Sequence, residues 1–183
     1  TIEDLSTEIT EDELKEAFID EWGVKYSKDG RKLLEAPKEL RGGYFVKEGT
    51  RIICNSAFAG CSLSNIAIPN SVTYIGNGAF SRCSSLSNIV IPKSVICLNG
   101  NPFSDWEGML ECLSPNFIYE DDVLFNKDKS EIVSFRNQKI ESYIIPDSVT
   151  KIRDSAFSDC SSLSNIVIPD SVTAIGDFAF SGC

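Results

Sequence analysis

A repeat of 23 residues is the feature that most constrains how this chain can fold. Residues 86–92 and 163–169 both read Leu-Ser-Asn-Ile-Val-Ile-Pro. Successive copies end in prolines that lie 23 residues apart: Pro69 and Pro92, then Pro146 and Pro169. Internal similarity at a fixed period of roughly 20–50 residues indicates a stack of short structural repeats, none of which buries a core by itself. We therefore predict a repeat solenoid.

The array is one longer module that has been duplicated. Five residues recur 99 positions later: Tyr26, Asp29, Tyr44, Phe58 and Cys61 become Phe125, Asp128, Tyr143, Phe157 and Cys160. In each module, Asp29 or Asp128 separates two short apolar runs, which is a β-hairpin signal. We predict a first module over residues 23–122 and a second over residues 123–183, each with a small hairpin inserted before its regular coils.

The order of apolar residues predicts how a single coil is built. Leu163, Ile166 and Ile168 fit one inward face. Val167 between them points outward, because successive strand residues face opposite sides. Pro169 ends the strand, since it has no backbone N–H to donate. The predicted fold is a right-handed leucine-rich, mainly β solenoid with short helical or 3-10 turns.

Two residue types recur at fixed places in the coils and are predicted to line the interior. Five phenylalanines form the expected core column: Phe58, Phe80, Phe103, Phe157 and Phe180. Four cysteines follow the phenylalanine turns: Cys61, Cys83, Cys160 and Cys183. We expect these cysteines to be buried thiols rather than metal ligands, because free cysteine is among the most buried residue types. The odd total of seven cysteines argues against a scaffold held wholly by disulfides.

A degenerate stretch after Phe103 contains four further apolar residues: Trp106, Met109, Leu110 and Leu113. These residues do not follow the spacing of the regular coils. We expect them to cover the core at the junction of the modules, with an exposed binding anchor as the alternative.

The first 22 residues differ in character from the rest of the chain. They contain nine acids and one base, so they carry a charge of −8 out of the total of −10. Thr10 and Glu13 have the spacing of a helix capping box, and Gly23 suits a C-terminal cap. We predict an acidic helix over residues 11–22 that caps the first coil. Its acids are read as a solvated face rather than a partner site.

The sequence lacks the constellations that enzymes and cofactors need. It contains no histidine, which excludes His-dependent nucleophilic triads and the usual His-containing zinc sites. No glycine-rich nucleotide-binding motif is present. Residues 120–122 and Asp128 are acidic, but they lack the calcium-loop pattern and are read as solvated hairpin turns. We predict no enzymatic activity, no cofactor and no metal.

The charge also bears on the class of partner. An acidic chain with a sequence pI near 4.5 argues against nucleic acid and anionic membrane surfaces, both of which favour basic patches. The sequence contains no run of about 20 apolar residues, so we predict no membrane span.

The regular coils resemble a known family. The pattern over residues 163–183, Leu-x-x-Ile-x-Ile-Pro-x-Ser-Val-Thr-x-Ile-Gly-x-x-Ala-Phe-x-x-Cys, is similar to the BspA-type, or Treponema-type, leucine-rich repeat. The resemblance covers residues 44–105 and 143–183. Cys97-Leu98-Asn99 departs from the expected Ile-Gly, and Pro102 stands where alanine is usual. The resemblance implies a secreted or surface-displayed bacterial protein, because members of the family commonly are. Some members are implicated in adhesion to host matrix proteins or to other bacteria.

The leading hypothesis is a non-enzymatic protein-binding or adhesion module whose ligand is a host matrix or bacterial surface protein. Outward strand positions are the candidate ligand-binding residues: Asn65, Ala67, Asn88, Val90, Asn165 and Val167, with Tyr74 and Lys151 on the second run of each coil. A competing interpretation is that the asparagines only bond turn backbone. The alternative function is a structural spacer without a specific ligand, which the near-identity of the coils favours.

The two ends of the sequence give two further expectations. Thr1 begins an acidic segment rather than a basic and apolar one, so no secretory signal is visible. This leaves open a trimmed secreted chain or an intracellular protein. At the other end, Cys183 follows a regular turn, and no capping segment comes after it. We expect either a longer array or self-association through the C-terminal coil.

Overall fold

The computed structural model describes residues 6–183 and divides the chain into two compact units, Thr1–Ser114 and Pro115–Cys183. The acids Glu3 and Asp4 of the predicted cap lie outside the described residues. Short strands make up nearly all the regular structure, with a single short helix in the described part of the chain. The predicted mainly β solenoid is therefore confirmed.

The first unit begins with the helix and alternates short strands between two sides of each coil. Its elements are α1 (Glu11–Lys15), β1 (Phe18–Ile19), β2 (Lys25–Tyr26), β3 (Lys32–Glu35), β4 (Arg41–Phe45), β5 (Ile52–Ile53), β6 (Ser62–Ala67), β7 (Tyr74–Ile75), β8 (Asn88–Ile91), β9 (Cys97–Leu98) and β10 (Met109–Cys112). One sheet has the order β1-β2-β3-β5-β7-β9. On the other side of the coils, β4 pairs with β6 and β8 pairs with β10.

The second unit repeats this plan with fewer coils. Its strands are β11 (Phe117–Glu120), β12 (Val123–Asn126), β13 (Glu131–Phe135), β14 (Ser142–Ile144), β15 (Lys151–Ile152), β16 (Asn165–Val167) and β17 (Ala174–Ile175). One sheet has the order β11-β12-β13-β15-β17, and β14 pairs with β16. All pairs between coils are parallel, as in β5 with β7 and β15 with β17.

In each unit the first three strands form an antiparallel meander. In the first unit, the turn between β2 and β3 holds Asp29 and Gly30, and the Gly30 N–H donates to Ser27 O at 2.8 Å. Gly30 has a φ of 74°, a left-handed conformation that glycine adopts without steric cost. In the second unit, β12 and β13 are antiparallel around Asp128. Both predicted hairpins are confirmed.

Two of the acidic residues 120–122 form a hairpin turn, as predicted, whereas Glu120 ends β11. Asp121 and Asp122 join β11 to β12, and both have positive φ, at 49° and 59°. Two consecutive residues with positive φ define the turn type that best matches the twist of paired strands. The acidic pair is thus explained by turn geometry.

The predicted helix over residues 11–22 is wrong beyond its first turns. The capping box forms as expected, because Thr10 Oγ1 accepts from Glu13 N at 3.1 Å, but the helix ends at Lys15. Phe18 and Ile19 instead form β1, which pairs with β2. Gly23 lies in the turn between these strands, with a φ of 84°.

The second module shows why residues 18–19 form a strand rather than a helix. At the distance of 99 residues, Phe18-Ile19 corresponds to Phe117-Ile118 in β11, the first strand of the second meander. Pairing with a neighbouring strand therefore outweighs local helix signals, as tertiary context commonly does. Leu14 in the helix and Trp22 in the following turn are both exposed.

The interior of each unit contains a column of aromatic rings. Phe58 and Phe80 stack with centroids 5.5 Å apart and 4° between their planes, and Phe80 and Phe103 stack at 6.2 Å and 3°. In the second unit, Phe157 stacks on Phe135 at 4.8 Å and on Phe180 at 5.0 Å. The predicted phenylalanines therefore stack within each unit, and Phe135 joins those of the second.

The alternation predicted for a single coil is present at β8. Leu86, Ile89 and Ile91 are buried, and Val90 between them is only half-buried. The outward direction of Val90 and its equivalents places them on an accessible face.

The alternation is incomplete in the coil for which it was predicted. There Leu163 is buried, whereas Ile168, expected to face inward, is 40% exposed, because β16 is the edge strand of its sheet.

The expectation for the degenerate stretch after Phe103 is half correct. Trp106 and Leu110 are buried, and Trp106 Nε1 donates to Leu86 O at 2.9 Å. Met109 and Leu113 are exposed instead. The stretch forms β10, so alternate side chains must face outward.

The cysteine prediction is confirmed for three of the four positions. Cys61, Cys83 and Cys160 are buried free thiols, whereas Cys183 is a free thiol at an exposed position. Burial, with a smaller contribution from Cys83, raises the pKa of Cys61 to about 12. Burial and the proximity of Cys183 raise the pKa of Cys160 to about 12 as well. These thiols therefore stay protonated at neutral pH.

We expect iodoacetamide to alkylate Cys61, Cys83 and Cys160 slowly in the native protein and rapidly after unfolding. The thiolate is the nucleophile, and an unfolded cysteine ionises at a pKa of about 8.5. Cys183 should react first in the native state. Peptide mapping by mass spectrometry at intervals measures the rates. A Cys61–Cys83 disulfide under non-reducing conditions, or equal labelling of all four, would contradict the buried-thiol assignment.

No helix in the described part of the chain is both long enough and apolar enough to cross a membrane.

Candidate binding face

The outward side of β4, β6, β8 and β10 forms a continuous face on the first unit. Parallel pairing sets Gly43 beside Asn65 and Phe45 beside Ala67. The Ser87 N–H donates to Ser64 O at 3.4 Å and links β8 to β6. Coil repetition then places Asn88 beside Asn65 and Val90 beside Ala67. The β8–β10 pairing adds Met109 beside Asn88 and Glu111 beside Val90.

We define the asparagine face by Phe45, Asn65, Ala67, Asn88, Val90 and Met109. It combines apolar and amide side chains, and Glu111 lies at its border beside Val90. Phe45 at one end is 80% exposed, and Met109 at the other end is 77% exposed. The two asparagines and Ala67 between these ends are exposed, and Val90 is half-buried. Large apolar side chains exposed on one face commonly mark an interaction site.

Serine rather than asparagine makes the turn bonds beneath this face. Ser87 Oγ donates to Ser64 O at 3.5 Å, and Ser164 Oγ donates to Glu141 O at 3.2 Å. Each asparagine side chain instead bonds the hydroxyl of the serine before it, as Asn165 Nδ2 does to Ser164 Oγ at 3.3 Å. The interpretation that the asparagines only bond turn backbone therefore does not fit these contacts. Their amides lie at the surface with hydrogen-bonding capacity to spare.

The second unit carries a shorter version of the same face. Ile144 pairs with Val167 and Ser142 pairs with Asn165 across β14 and β16. Ile144 and Val167 are both exposed. An apolar row beside a polar row is thus common to both units.

Tyr74 and Lys151 do not belong to this face. They lie in β7 and β15, in the other sheet of each unit. Tyr74 is half-buried and packs with Ile9 and Ala17 against a small core cluster. Lys151 is exposed, with Nζ 3.8 Å from Glu131 Oε1. The structure therefore groups Asn65, Ala67, Asn88 and Val90 in the first unit and Asn165 with Val167 in the second.

Phe45 and Ile144 are exposed on the face, and neither was among the site residues predicted from the sequence. Phe45 and Ile144 lie 99 residues apart and follow an inward tyrosine in each module. The two-residue period of a strand would have placed both outward. Met109 was named only as part of a stretch for which an exposed binding anchor was the alternative. The direction of Met109 was harder to predict, because only its pairing with Asn88 in β8 shows that its side chain lies on this face.

The face of the other sheet is partly covered in the first unit by an N-terminal strap, residues 6–17. Thr7 O accepts from Asn55 N at 2.9 Å, and Thr7 Oγ1 accepts from Asn99 Nδ2 at 2.6 Å, so one buried residue contacts two coils. The Lys32 ammonium is nearly buried and lies 3.1 Å from Glu13 Oε2. The strap is therefore fixed by hydrogen bonds and an ion pair as well as by Ile9 and Ala17.

The second unit has a charged face where the first has the seat of the strap. The row Lys32, Ile52 and Tyr74 in the first unit corresponds to Glu131, Lys151 and Ala174 in the second. Arg153 Nη2 lies 2.9 Å from Glu131 Oε2 and stabilises this row by an ion pair on the surface. Ile52 in the first unit stands where the second unit has Lys151, so the row under the strap is the more apolar of the two.

The arrangement offers binding surface rather than reactive groups. In the part of the chain that the structure describes, no group of three or more histidine, cysteine, aspartate or glutamate residues is placed to hold a metal ion. A groove of about 520 Å³ lies between α1 and the β2–β3 turn, and its walls carry both acids and bases, including Glu16 and Arg31. The asparagine face is flat and offers amides and apolar side chains.

Comparison with known proteins agrees with this architecture. The family model for the BspA type leucine rich repeat region matches residues 46–125 and 130–183, in six copies. The chain is 30% identical, with a TM-score of 0.66, to a leucine rich cell surface protein from Faecalibacterium prausnitzii A2-165. It is 26% identical, with a TM-score of 0.67, to the pneumococcal vaccine antigen PcpA. A leucine-rich repeat protein from Eubacterium ventriosum ATCC 27560 is 25% identical, with a TM-score of 0.55.

These similarities cover most of this chain but a smaller part of the other proteins. They cover 78%, 78% and 76% of this chain, and 39%, 37% and 51% of the three proteins in the same order. The chain therefore matches less than two thirds of each. No curated protein matches the chain.

Proposed function

This chain belongs to the BspA-type leucine-rich repeat family, and from that premise we propose that it is a non-enzymatic protein-binding module of a bacterial cell-surface or secreted protein. The observation that carries the proposal is the asparagine face. Its occupant would be another protein, for which host matrix and bacterial surface proteins are the first candidates.

The composition of the face supports a protein ligand. Phe45 and Met109 are large side chains that a partner can desolvate, and such anchors usually dominate interface energetics. Asn65 and Asn88 offer amide donors and acceptors between these anchors without adding charge. Interfaces typically combine an apolar centre with about one hydrogen bond per 100–200 Å² of buried area.

One observation supports the proposed location at the cell surface, and another supports contact with a protein. The Faecalibacterium prausnitzii protein, which is 30% identical, is described as a leucine rich cell surface protein. Strand pairing places one acid, Glu111, beside Val90 and one base, Arg41, beside Ser62, so the asparagine face has little net charge. A neutral face suits contact with protein at physiological salt, where exposed charges are screened beyond about 8 Å.

The test is binding of the purified chain to immobilised matrix proteins and to intact bacterial cells. Phe45→Ser, alone and combined with Asn88→Ala, should weaken binding by about tenfold or more, which is roughly 1.4 kcal/mol. Ile96→Ser is the matched control, because Ile96 is also exposed but lies outside the face, at the edge of β9.

Loss of binding in the face variants with retention in Ile96→Ser supports the proposal. Equal binding by all variants would overturn the assignment of the face. Absence of binding across the whole panel would instead favour the structural spacer.

A further inference from the structure

The edge of the first meander carries three exposed apolar side chains that the asparagine face does not explain. Phe18 and Ile19 form β1, at the edge of the six-stranded sheet, and Trp22 lies in the turn to β2. They are 50%, 56% and 58% exposed. Phe18 and Ile19 point to opposite sides of the strand, so the edge presents apolar surface on both. We call Phe18, Ile19 and Trp22 the aromatic edge.

The meander itself does not require this exposure. In the second unit, the corresponding Phe117 is only 8% exposed, and Ile118 is half-buried against the core. The residue 99 positions after Trp22 is Asp121, which serves the equivalent turn. An acid therefore suffices where the first unit has a tryptophan. Trp22 adds a large apolar side chain to a surface turn that the second unit forms without one.

The chemistry around the aromatic edge favours a cationic ligand. Glu16 and Glu21 are exposed and lie close in sequence to Phe18 and Trp22, two residues before the first and directly before the second. The Lys47 ammonium already lies 4.2 Å from the centroid of the Phe18 ring. Aromatic faces attract ammonium and guanidinium groups, and tryptophan does so most strongly. Trp22 is the exposed indole of this edge, with carboxylates next to it in the chain.

We propose that the aromatic edge docks a basic segment of a partner protein that combines lysine or arginine with apolar side chains. The cations would contact Trp22 and the neighbouring carboxylates, while the apolar side chains cover Phe18 and Ile19. An anionic membrane surface would be repelled by the same acids. This site is separate from the asparagine face and does not depend on it.

The probe is a fluorescently labelled peptide of alternating lysine and leucine, titrated with the whole chain and followed by anisotropy. Two comparison peptides replace lysine by glutamate or leucine by serine. Trp22→Asp is the main variant, because it introduces the residue that the second unit has in this turn. It also adds a negative charge, so a purely electrostatic attraction would become stronger. Ile19→Ser is a second variant, and unchanged circular dichroism checks that both fold.

We expect saturable binding of the lysine–leucine peptide that weakens at least about tenfold in Trp22→Asp and clearly in Ile19→Ser. Phe45→Ser, on the asparagine face, should leave this binding unchanged. Equal or tighter binding by Trp22→Asp, or equal binding of the glutamate or serine peptides, would overturn the proposal. Loss in Phe45→Ser alone would transfer the site to the asparagine face, so the two proposals fail separately.

Discussion

Replacing Phe80 by alanine is expected to lower the free energy of unfolding of the first unit by about 3–5 kcal/mol. Phe80 is fully buried and lies between two parallel rings, Phe58 and Phe103. Truncation removes contacts on both sides and leaves a cavity that neighbouring coils fill poorly, because each coil is fixed by the next. Urea unfolding followed by circular dichroism measures the change.

Phe45→Ala is the matched control for this result. It removes the same side chain from an exposed position on the asparagine face, where surface substitutions usually change stability by less than about 0.5 kcal/mol. If the two variants lost similar stability, the ring column would not be the main support of the first unit.

The second large effect is expected at Gly76, which lies against the backbone of the preceding coil. A Cβ placed on Gly76 would lie 2.4 Å from the backbone nitrogen of Asn55 in the preceding coil. Asn55 is held there, because its Oδ1 accepts from Asn77 N at 2.9 Å. Gly76→Ala should therefore destabilise the first unit by about 1–3 kcal/mol through overpacking.

Gly43→Ala provides the comparison. A Cβ on Gly43 would meet its nearest neighbour, the Cβ of Asn65, at an ordinary 3.9 Å. With no positive φ to lose, this substitution should be neutral or stabilise by up to about 1 kcal/mol. Urea unfolding of both variants measures the difference. A Gly76→Ala protein as stable as Gly43→Ala would show that coil spacing adapts to a methyl group.

The sequence predicted the features that depend on local repetition. The period of 23 residues located the coils, the recurrence of Phe58 and Phe157 located the core, and the Asp29-Gly30 pair located a hairpin. In each case one residue type has the same neighbours in every copy. The capping box at Thr10 was also predictable, because all its partners lie within four residues.

The features that the sequence did not predict depend on distant partners. Local helix signals continued past Lys15, but pairing of Phe18 with Tyr26 determined the conformation of the next residues. Nothing in the sequence around Ile52 indicates its cover, which comes from a segment more than 30 residues earlier. Comparison with Lys151 in the second module was the signal that would have revealed it.

On the asparagine face and its shorter version in the second unit, the two-residue period of a strand correctly predicted six outward residues: Asn65, Ala67, Asn88, Val90, Asn165 and Val167. It did not separate the two sheets of a coil, so Tyr74 and Lys151 were grouped with residues that lie in other strands. Hydrogen-bond pairing, which the sequence does not encode locally, decides which outward residues share a face.

The difference between the covered row at Ile52 and the charged row at Lys151 has a consequence for how such an array lengthens. A duplicated segment like residues 115–183 has a charged, solvated sheet surface, so it can be added to the array without any further segment to cover it. A copied stretch like residues 18–114 brings an apolar seat that stays exposed unless its strap is copied with it. Unequal recombination would therefore propagate the charged type, and designers extending this scaffold should take their internal modules from it.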